Sequence, residues 1–277
     1  MTLELLVLQP TTKRLVDAYC QYPKHALLLR GSVGSGLGTL ASAIALQLVT
    51  HPTDISFVEP DEKGTITIEQ VRGLYVSTRD KRTTHQVILI DDIDTMSREA
   101  QNAFLKLLEE PPTHAYFIVT THAPEALLPT IVSRVQTIDV QPVSERASVE
   151  LLDSLITPTT TTKQQILFLA RGLPAELTRL ASDSQYFDSQ VSSVHAAQQL
   201  LAKPLHERLV LVSAYTDRAK AQQLVAVLAM LVEFMLRRTP NEEKLIAAAR
   251  IIEMTTKRLE ANGHVRTQLT NLVFQIA

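Results

Sequence analysis

Two short segments carry residues whose types and spacing can do chemistry on phosphates. Gly31-Ser-Val-Gly34-Ser-Gly36-Leu37-Gly38-Thr39 follows the apolar run Ala26 to Leu29 and precedes a stretch of small and aliphatic residues, Leu40 to Val49. A glycine loop between a strand and a helix can cradle phosphate. Its backbone N–H groups converge, and the helix start adds partial positive charge. The full pattern is G-x-x-x-x-G-K-[ST]. Gly31 and Gly36 hold its two glycine places, but Leu37 stands where Lys belongs and Gly38 where Ser or Thr belongs; Thr39 comes one residue late. The ammonium would neutralise the β- and γ-phosphates, and the hydroxyl would hold magnesium. Leu37 and Gly38 do neither, and Arg30 sits on the strand side of the loop. The segment reads either as a plain strand-to-helix connection or as a vestigial nucleotide site with Gly31, Gly34, Gly36 and Thr39 as contacts. Productive ATP hydrolysis is not expected here.

The second segment is Val87-Ile-Leu-Ile90 followed by Asp91 and Asp92. Acids at the carboxyl end of a buried strand can position magnesium through water. Asp91 takes that place, and Asp92 takes that of a water-activating Glu, one methylene short. Many α/β proteins end a strand this way, so the spacing after the glycine loop is what gives the pair weight. Neither segment predicts a metal site built by the protein alone.

These residues need a sheet to hold them. Ala26 to Leu29, Ile55 to Val58, Val87 to Ile90, Tyr116 to Val119 and Thr137 to Val140 read as strands. Helices are expected over Leu40 to Val49, Ile68 to Arg79 and from Ser97 to Glu110. In the last, Ser97 is an N-cap, and Ala100, Ala103, Phe104, Leu107 and Leu108 share one apolar face. Pro111-Pro112 ends it. A helix-like stretch is also expected from Pro124 to Ser133. Strands spaced by helices give an α/β fold with a parallel sheet covered on both faces. Past Gln141-Pro142 the pattern is helical: from Glu145, after a turn or linker at Thr157 to Thr162, from Gly172-Leu173-Pro174, and over Pro204 to Tyr215, Ala219 to Arg238 and Glu242 to Asn262. A soft boundary is expected around Tyr186 to Ser193.

Composition narrows the class. The 277 residues are 45% hydrophobic and 20% charged, which excludes disorder as the dominant state. The length suggests about two domains. The formal charge is −2, so nothing pulls the whole chain toward nucleic acid or membrane. From Lys203 onward, 11 Lys and Arg stand against 7 Asp and Glu, which reads as a solvated face before it reads as a binding site. One cysteine, Cys20, excludes an internal disulfide and a multi-cysteine zinc module, and suits a reducing cytoplasm. Met1 to Thr12 lacks the pattern of a signal peptide, and no apolar run approaches the roughly 20 residues of a membrane helix.

The motifs in order carry a resemblance. Tyr22-Pro-Lys-His25-Ala-Leu-Leu-Leu29, the glycine loop, Leu105-Lys-Leu-Leu-Glu109-Glu-Pro-Pro112, Phe117-Ile-Val-Thr120-Thr121 and Ile131-Val-Ser133-Arg134 together resemble the AAA+ subunits of the bacterial replicative clamp loader of DNA polymerase III. The Leu-Lys-x-Leu-Glu-Glu-Pro-Pro run is the most specific part, and Asn262 to Leu272 resembles the end of that family's last domain. The resemblance implies an AAA+ α/β domain over 1–141 with a degenerate Walker A loop, a helical lid over 142–186 and an all-α collar for oligomerisation over 187–277. The broken loop points within the family to a non-hydrolysing stator rather than to the ATP-hydrolysing gamma/tau type. The implied partners are gamma/tau and delta subunits, with the sliding clamp and primed DNA reached through the complex, and no membrane.

The family's Ser-Arg-Cys motif sends an arginine into a neighbouring subunit's ATP site. It maps onto Ser133 and Arg134, with Val135 in place of the Cys. Without that context, Arg134 is equally a surface arginine or half of an internal salt bridge. The family's four-cysteine zinc module is absent from Val49 to Pro60, so neither zinc nor another cofactor is expected. The lid arginine of active relatives falls on Ala175, with Arg179 a turn later. Thr120 or Thr121 matches a sensor position, or is a satisfied core hydroxyl. Two rival readings stay open: an active AAA+ ATPase of the same assembly or of DNA remodelling, and a phosphate-loop fold turned to an unrelated binding role.

Overall fold

The computed structural model describes residues 2–62, 64–78 and 85–276. Arg79, the expected end of the helix from Ile68, lies outside them. The chain divides into two compact units, Met1–Ser182 and Asp183–Ala277.

The first unit alternates helix and strand: α1 (Pro10–Gln21), β1 (Ala26–Arg30), α2 (Leu37–Leu48), β2 (Ile55–Val58), α3 (Ile68–Ser77), β3 (Gln86–Ile90), α4 (Arg98–Glu109), β4 (Ala115–Thr121), α5 (Pro129–Val132) and β5 (Gln136–Asp139). Three helices complete it: α6 (Glu145–Leu155), α7 (Thr160–Ala170) and α8 (Pro174–Ser182). The five strands form one sheet in the order β2-β3-β4-β1-β5, and every pairing is parallel.

Strand periodicity decides which face each side chain serves. Leu28, Ile88, Ile90, Phe117 and Val119 enter one core with Phe104, Leu107 and Leu108 of α4. Leu27, Leu29, Val87, Leu89 and Ile118 enter the other with Val16 and Tyr19 of α1 and Leu40 and Ile44 of α2. Both faces are therefore covered, as a parallel sheet requires. Phe104 meets Phe117 edge to face at a centroid distance of 5.5 Å. Ser97 caps α4 by accepting the Ala100 N–H at 3.1 Å. At the strand ends, Arg30 and Asp139 face each other across β1 and β5 and form an ion pair. That guanidinium holds the Asp139 carboxyl below its ordinary range.

Several boundaries differ from the sequence expectation. The second helix begins at Leu37, not Leu40, because Gly36 serves as its N-cap in a left-handed conformation. The helix-like stretch Pro124 to Ser133 is a 3-10 turn, Pro124–Ala126, and the four-residue α5. Pro129 has no N–H to continue a helix across it. The threonine run at 157–162 is only partly linker, since Thr159 caps α7 by accepting the Thr162 N–H. Residues 142–182 belong to the first compact unit, and the Val143 N–H bonds the Gly172 carbonyl at 2.8 Å.

The second unit holds α9 (Ser184–Ala202), α10 (Leu205–Ser213), α11 (Arg218–Arg238), α12 (Glu243–Glu260) and α13 (Val265–Gln275). Tyr186 to Ser193, expected as a soft boundary, lies inside α9. The break falls at Asp183, whose carboxylate caps that helix by accepting the Tyr186 N–H at 2.9 Å. The reading that no apolar run reaches membrane-spanning length needs a qualification. No unbroken apolar run reaches that length, but α11 has 21 residues, and an 18-residue window within it has a mean hydropathy of 1.5, long and apolar enough by length and composition alone. Scattered charges such as Lys220 and Glu233 break its runs in the sequence. Within its unit α11 packs against α9 and α12, burying Leu224, Val225, Leu228 and Val232.

Phe104 is fully buried between helix and sheet. Phe104→Ala is therefore expected to cost about 3–5 kcal/mol, the range for emptying a buried aromatic site. Urea unfolding measures it.

Candidate functional site

β1 lies beside β4, and β4 beside β3, all parallel. Their carboxyl ends therefore bring the glycine loop, the acids after Ile90 and the Thr120-Thr121-His122 run to one edge of the sheet. That edge is where ligands bind in open α/β sheets.

The loop is closed by its own chain. Gly34 and Gly36 have φ of +89° and +83°, a left-handed backbone that glycine adopts without a steric cost. The turn aims the Gly34 carbonyl at α8, where it accepts the N–H groups of Ala175 and Glu176, both at 3.0 Å. Those are first-turn donors with no partner inside their helix, the groups that could otherwise face an anion. Contact is tight, since a Cβ on Gly34 would lie 2.8 Å from Glu176 Cβ.

Leu37 is only 2% exposed and joins the core of α1, α2 and the sheet. A Cβ on Gly31 would meet Leu37 Cδ2 at 3.4 Å and Ser35 Oγ at 3.0 Å. The Ser35 hydroxyl is buried and has no hydrogen-bond partner among the described residues. Beside the loop lies a cavity of about 230 Å³, walled by Leu5, Val7, Thr39, Leu151 and Ala175 among others.

The acids are held by three consecutive residues at the end of β4. The Thr120 hydroxyl donates to Asp91 Oδ1 at 2.6 Å and accepts the Asp92 N–H at 3.0 Å. The Thr121 hydroxyl donates to Asp94 Oδ1 at 2.6 Å. His122 Nδ1 lies 2.7 Å from the Gly31 carbonyl, and Nε2 faces Asp92 Oδ1 at 3.9 Å. With the proton on Nδ1, that imidazole donates to the loop carbonyl, while Nε2 lies beyond hydrogen-bond distance of the acid. Asp91 also rests against the loop helix, since a Cβ on Gly38 would lie 3.3 Å from Asp91 Oδ2. Asp92 sits in a left-handed backbone at φ +48°. Burial first, then the neighbouring Asp91 charge, push its carboxyl above the ordinary range.

These residues do not fit a magnesium-bound triphosphate. Aliphatic carbon stands in the ammonium's place and no hydroxyl follows it. Among the described residues no group of three or more His, Cys, Asp and Glu is arranged to hold a metal.

Ser133 and Arg134 form a separate corner after α5. Ser133 Oγ donates to the Thr130 carbonyl at 3.0 Å. Arg134 Nη1 donates to the same carbonyl at 3.2 Å and to Ser133 Oγ at 3.4 Å. Its Nη2 pairs with Glu109 Oε1 at 3.0 Å, with the two side chains 39% and 50% exposed. Thr120 and Thr121, each expected as a sensor or a core hydroxyl, are fully buried and both hold acids. Sequence reasoning missed His122; for Arg134 it offered an internal salt bridge as the alternative, which the structure contains, without naming Glu109 as the partner. The run of three polar residues closing an apolar strand was the only signal for His122.

A sequence model of the family described as "DNA polymerase III, delta subunit" matches residues 49–144. The delta' subunit of DNA polymerase III from Pseudomonas aeruginosa is 34% identical over 40% of this chain and 41% of its own length. The delta' subunit from Escherichia coli is 27% identical over 60% of this chain and 58% of its own. Over these residues the chain is similar to delta' subunits of DNA polymerase III. The tau subunit of Bacillus subtilis also matches, 28% identical over 52% of this chain and 30% of its own length. The chain thus spans between 30% and 58% of these three relatives. Among solved structures, a DNA polymerase III gamma subunit-related protein from Thermotoga maritima matches with a TM-score of 0.58 at 18% identity, covering 95% of this chain and 97% of that one. The RuvB branch-migration motor of the same organism matches at a TM-score of 0.53 and 16% identity, over 69% of this chain and 66% of that one. Both likenesses are of fold alone.

Asp92→Asn is expected to raise Tm at pH 7. Asn tolerates the left-handed backbone, and removing the charge relieves its burial. A carboxyl raised in the folded state makes stability fall as pH rises from 3.8 through its folded value. The advantage of the Asn variant should therefore shrink toward acid pH, leaving only the backbone part. Thermal melts of both proteins across pH 3.5–7 check it.

Proposed function

We propose that the chain is a delta-prime-like stator of the clamp loader. In this reading it binds into the ring without turning over ATP and sends Arg134 into the ATP site of a neighbouring gamma/tau-type subunit. The observation that carries the reading is the closure of the phosphate loop. The Gly34 carbonyl takes the two first N–H groups of α8, and Leu37 is buried where the catalytic Lys would stand. A pocket so arranged is better suited to holding its own shape than to gripping phosphates. Delta' relatives at 27–34% identity agree with it.

The domain roles follow the same reading. Residues 1–141 are the AAA+ domain, 142–186 the lid and 187–277 the collar that joins gamma/tau and delta subunits. The complex acts in the cytoplasm on the sliding clamp and primed DNA. Arg134 suits the finger role chemically: a guanidinium is always charged, planar and rich in donors, and can meet a γ-phosphate across an interface. Ser133 supports it by sharing the Thr130 carbonyl.

The purified chain is expected to show no ATP turnover, with or without primed DNA. Sustained turnover at a motor's rate overturns the reading in favour of an active ATPase. In a loader reconstituted with gamma/tau-type subunits, Arg134→Ala should leave assembly intact. It should lower kcat by about tenfold or more, since fingers supplied in trans contribute on the order of 10³–10⁵ in kcat. Unchanged turnover in that variant removes the finger. Leu37→Lys should create no turnover and should lower Tm, because it places an ammonium in an apolar core.

A further inference from the structure

We infer that Glu109 is a positioning residue for Arg134; this rests on the finger reading above. Arg134 follows a helix of only four residues, Pro129–Val132, whose anchor is the fully buried Ile131. So short an element fixes a backbone but not the end of a long side chain. The guanidinium needs a second point of attachment, and the structure supplies one from a different helix. Nη1 donates to the Thr130 carbonyl at 3.2 Å and to Ser133 Oγ at 3.4 Å, both within its own turn. Nη2 forms an ion pair with Glu109 Oε1 at 3.0 Å.

Glu109 stands on a rigid base. It is the last residue of α4, directly after Leu107 and Leu108, which are 2% and 3% exposed. Ile131 lies in the same hydrophobic core as those two leucines, so the two ends of the ion pair are carried by one packed body. Among the described residues Nε–H has no hydrogen-bond partner and Nη2 is held only by the ion pair, which leaves one edge of the fork available to a phosphate.

The pair is half exposed, and exposed ion pairs add little to folding. Its effect is therefore on orientation, where an ångström of misplacement costs rate. A carboxylate also offsets part of the finger's charge. What Glu109 contributes is an acceptor at a fixed place, and a neutral amide oxygen can do the same.

The reconstituted loader, with gamma/tau-type subunits, clamp and primed DNA, tests this through steady-state ATP turnover. Glu109→Ala should lower kcat about five- to tenfold, a loss typical of a misaimed catalytic group, with KM for ATP, assembly and the Tm of the chain unchanged. Glu109→Gln should restore most of the rate. The double variant with Arg134→Ala should be no slower than Arg134→Ala alone, because Glu109 acts only through the guanidinium. If Glu109→Ala matches wild type while Arg134→Ala is slow, the positioning role is wrong and the finger stands. A faster Glu109→Ala enzyme overturns it as well, since Glu109 would then be withholding the finger. An equal loss in the Gln and Ala variants overturns it in favour of a charge effect. If Arg134→Ala itself turns over normally, the finger reading fails and Glu109 falls with it.

Discussion

The Gly34 carbonyl accepts two backbone N–H groups from the first turn of α8, and the character of the whole pocket depends on this contact. A helix N-terminus and a glycine loop are the two backbone devices proteins use to bind phosphate. Here a loop carbonyl, rather than an anion, accepts the helix donors. Two N–H groups that would cost free energy if buried alone acquire a partner, and the loop gains a fixed shape without a ligand. Left-handed backbone at Gly34 makes the contact possible, and the close approach of Glu176 leaves no room for a side chain there.

The acid turn follows the same logic. Thr120, Thr121 and His122 each face one of the three carboxylates of Asp91, Asp94 and Asp92, and His122 also reaches the Gly31 carbonyl. In a magnesium site those charges would be met by the ion and its waters. In this chain hydroxyls and an imidazole from one strand end meet them. The result is a hydrogen-bonded edge spanning β1, β3 and β4. Arg134 is held on a different set of contacts at the end of α4, so its corner and the closed loop are built by separate interactions on one sheet domain.

Much of the architecture was legible from particular residues. The apolar run Val87 to Ile90, β-branched at all but Leu89, predicts a fully buried strand, and all of β3 is buried. Ser97 with the apolar face of Ala100, Phe104, Leu107 and Leu108 predicts α4 nearly to the residue. The expectation failed where local signals compete with context. Proline at 129 splits a stretch whose composition reads as one helix, and the threonine run at 157–162 hides a helix cap behind loop-like composition. α11 was read as a helix over Ala219 to Arg238, but its apolar 18-residue window was not, because isolated charges interrupt the runs.

Residue identity alone determined that the phosphate loop lacks its ammonium and its magnesium hydroxyl, because Leu37 and Gly38 have no polar side-chain atoms whatever the fold. It also determined the order of strands and helices along the chain, through spacings of two and of three to four. Only the tertiary structure decided what took the vacated roles. Ala175 and Glu176 are about 140 residues from Gly34 in sequence, and Glu109 is 25 from Arg134. Hydrogen bonds over such separations leave no periodic trace in a sequence. They exist because packing both faces of one sheet brings distant backbone and side-chain groups within three ångströms, where each buried polar atom must find a partner.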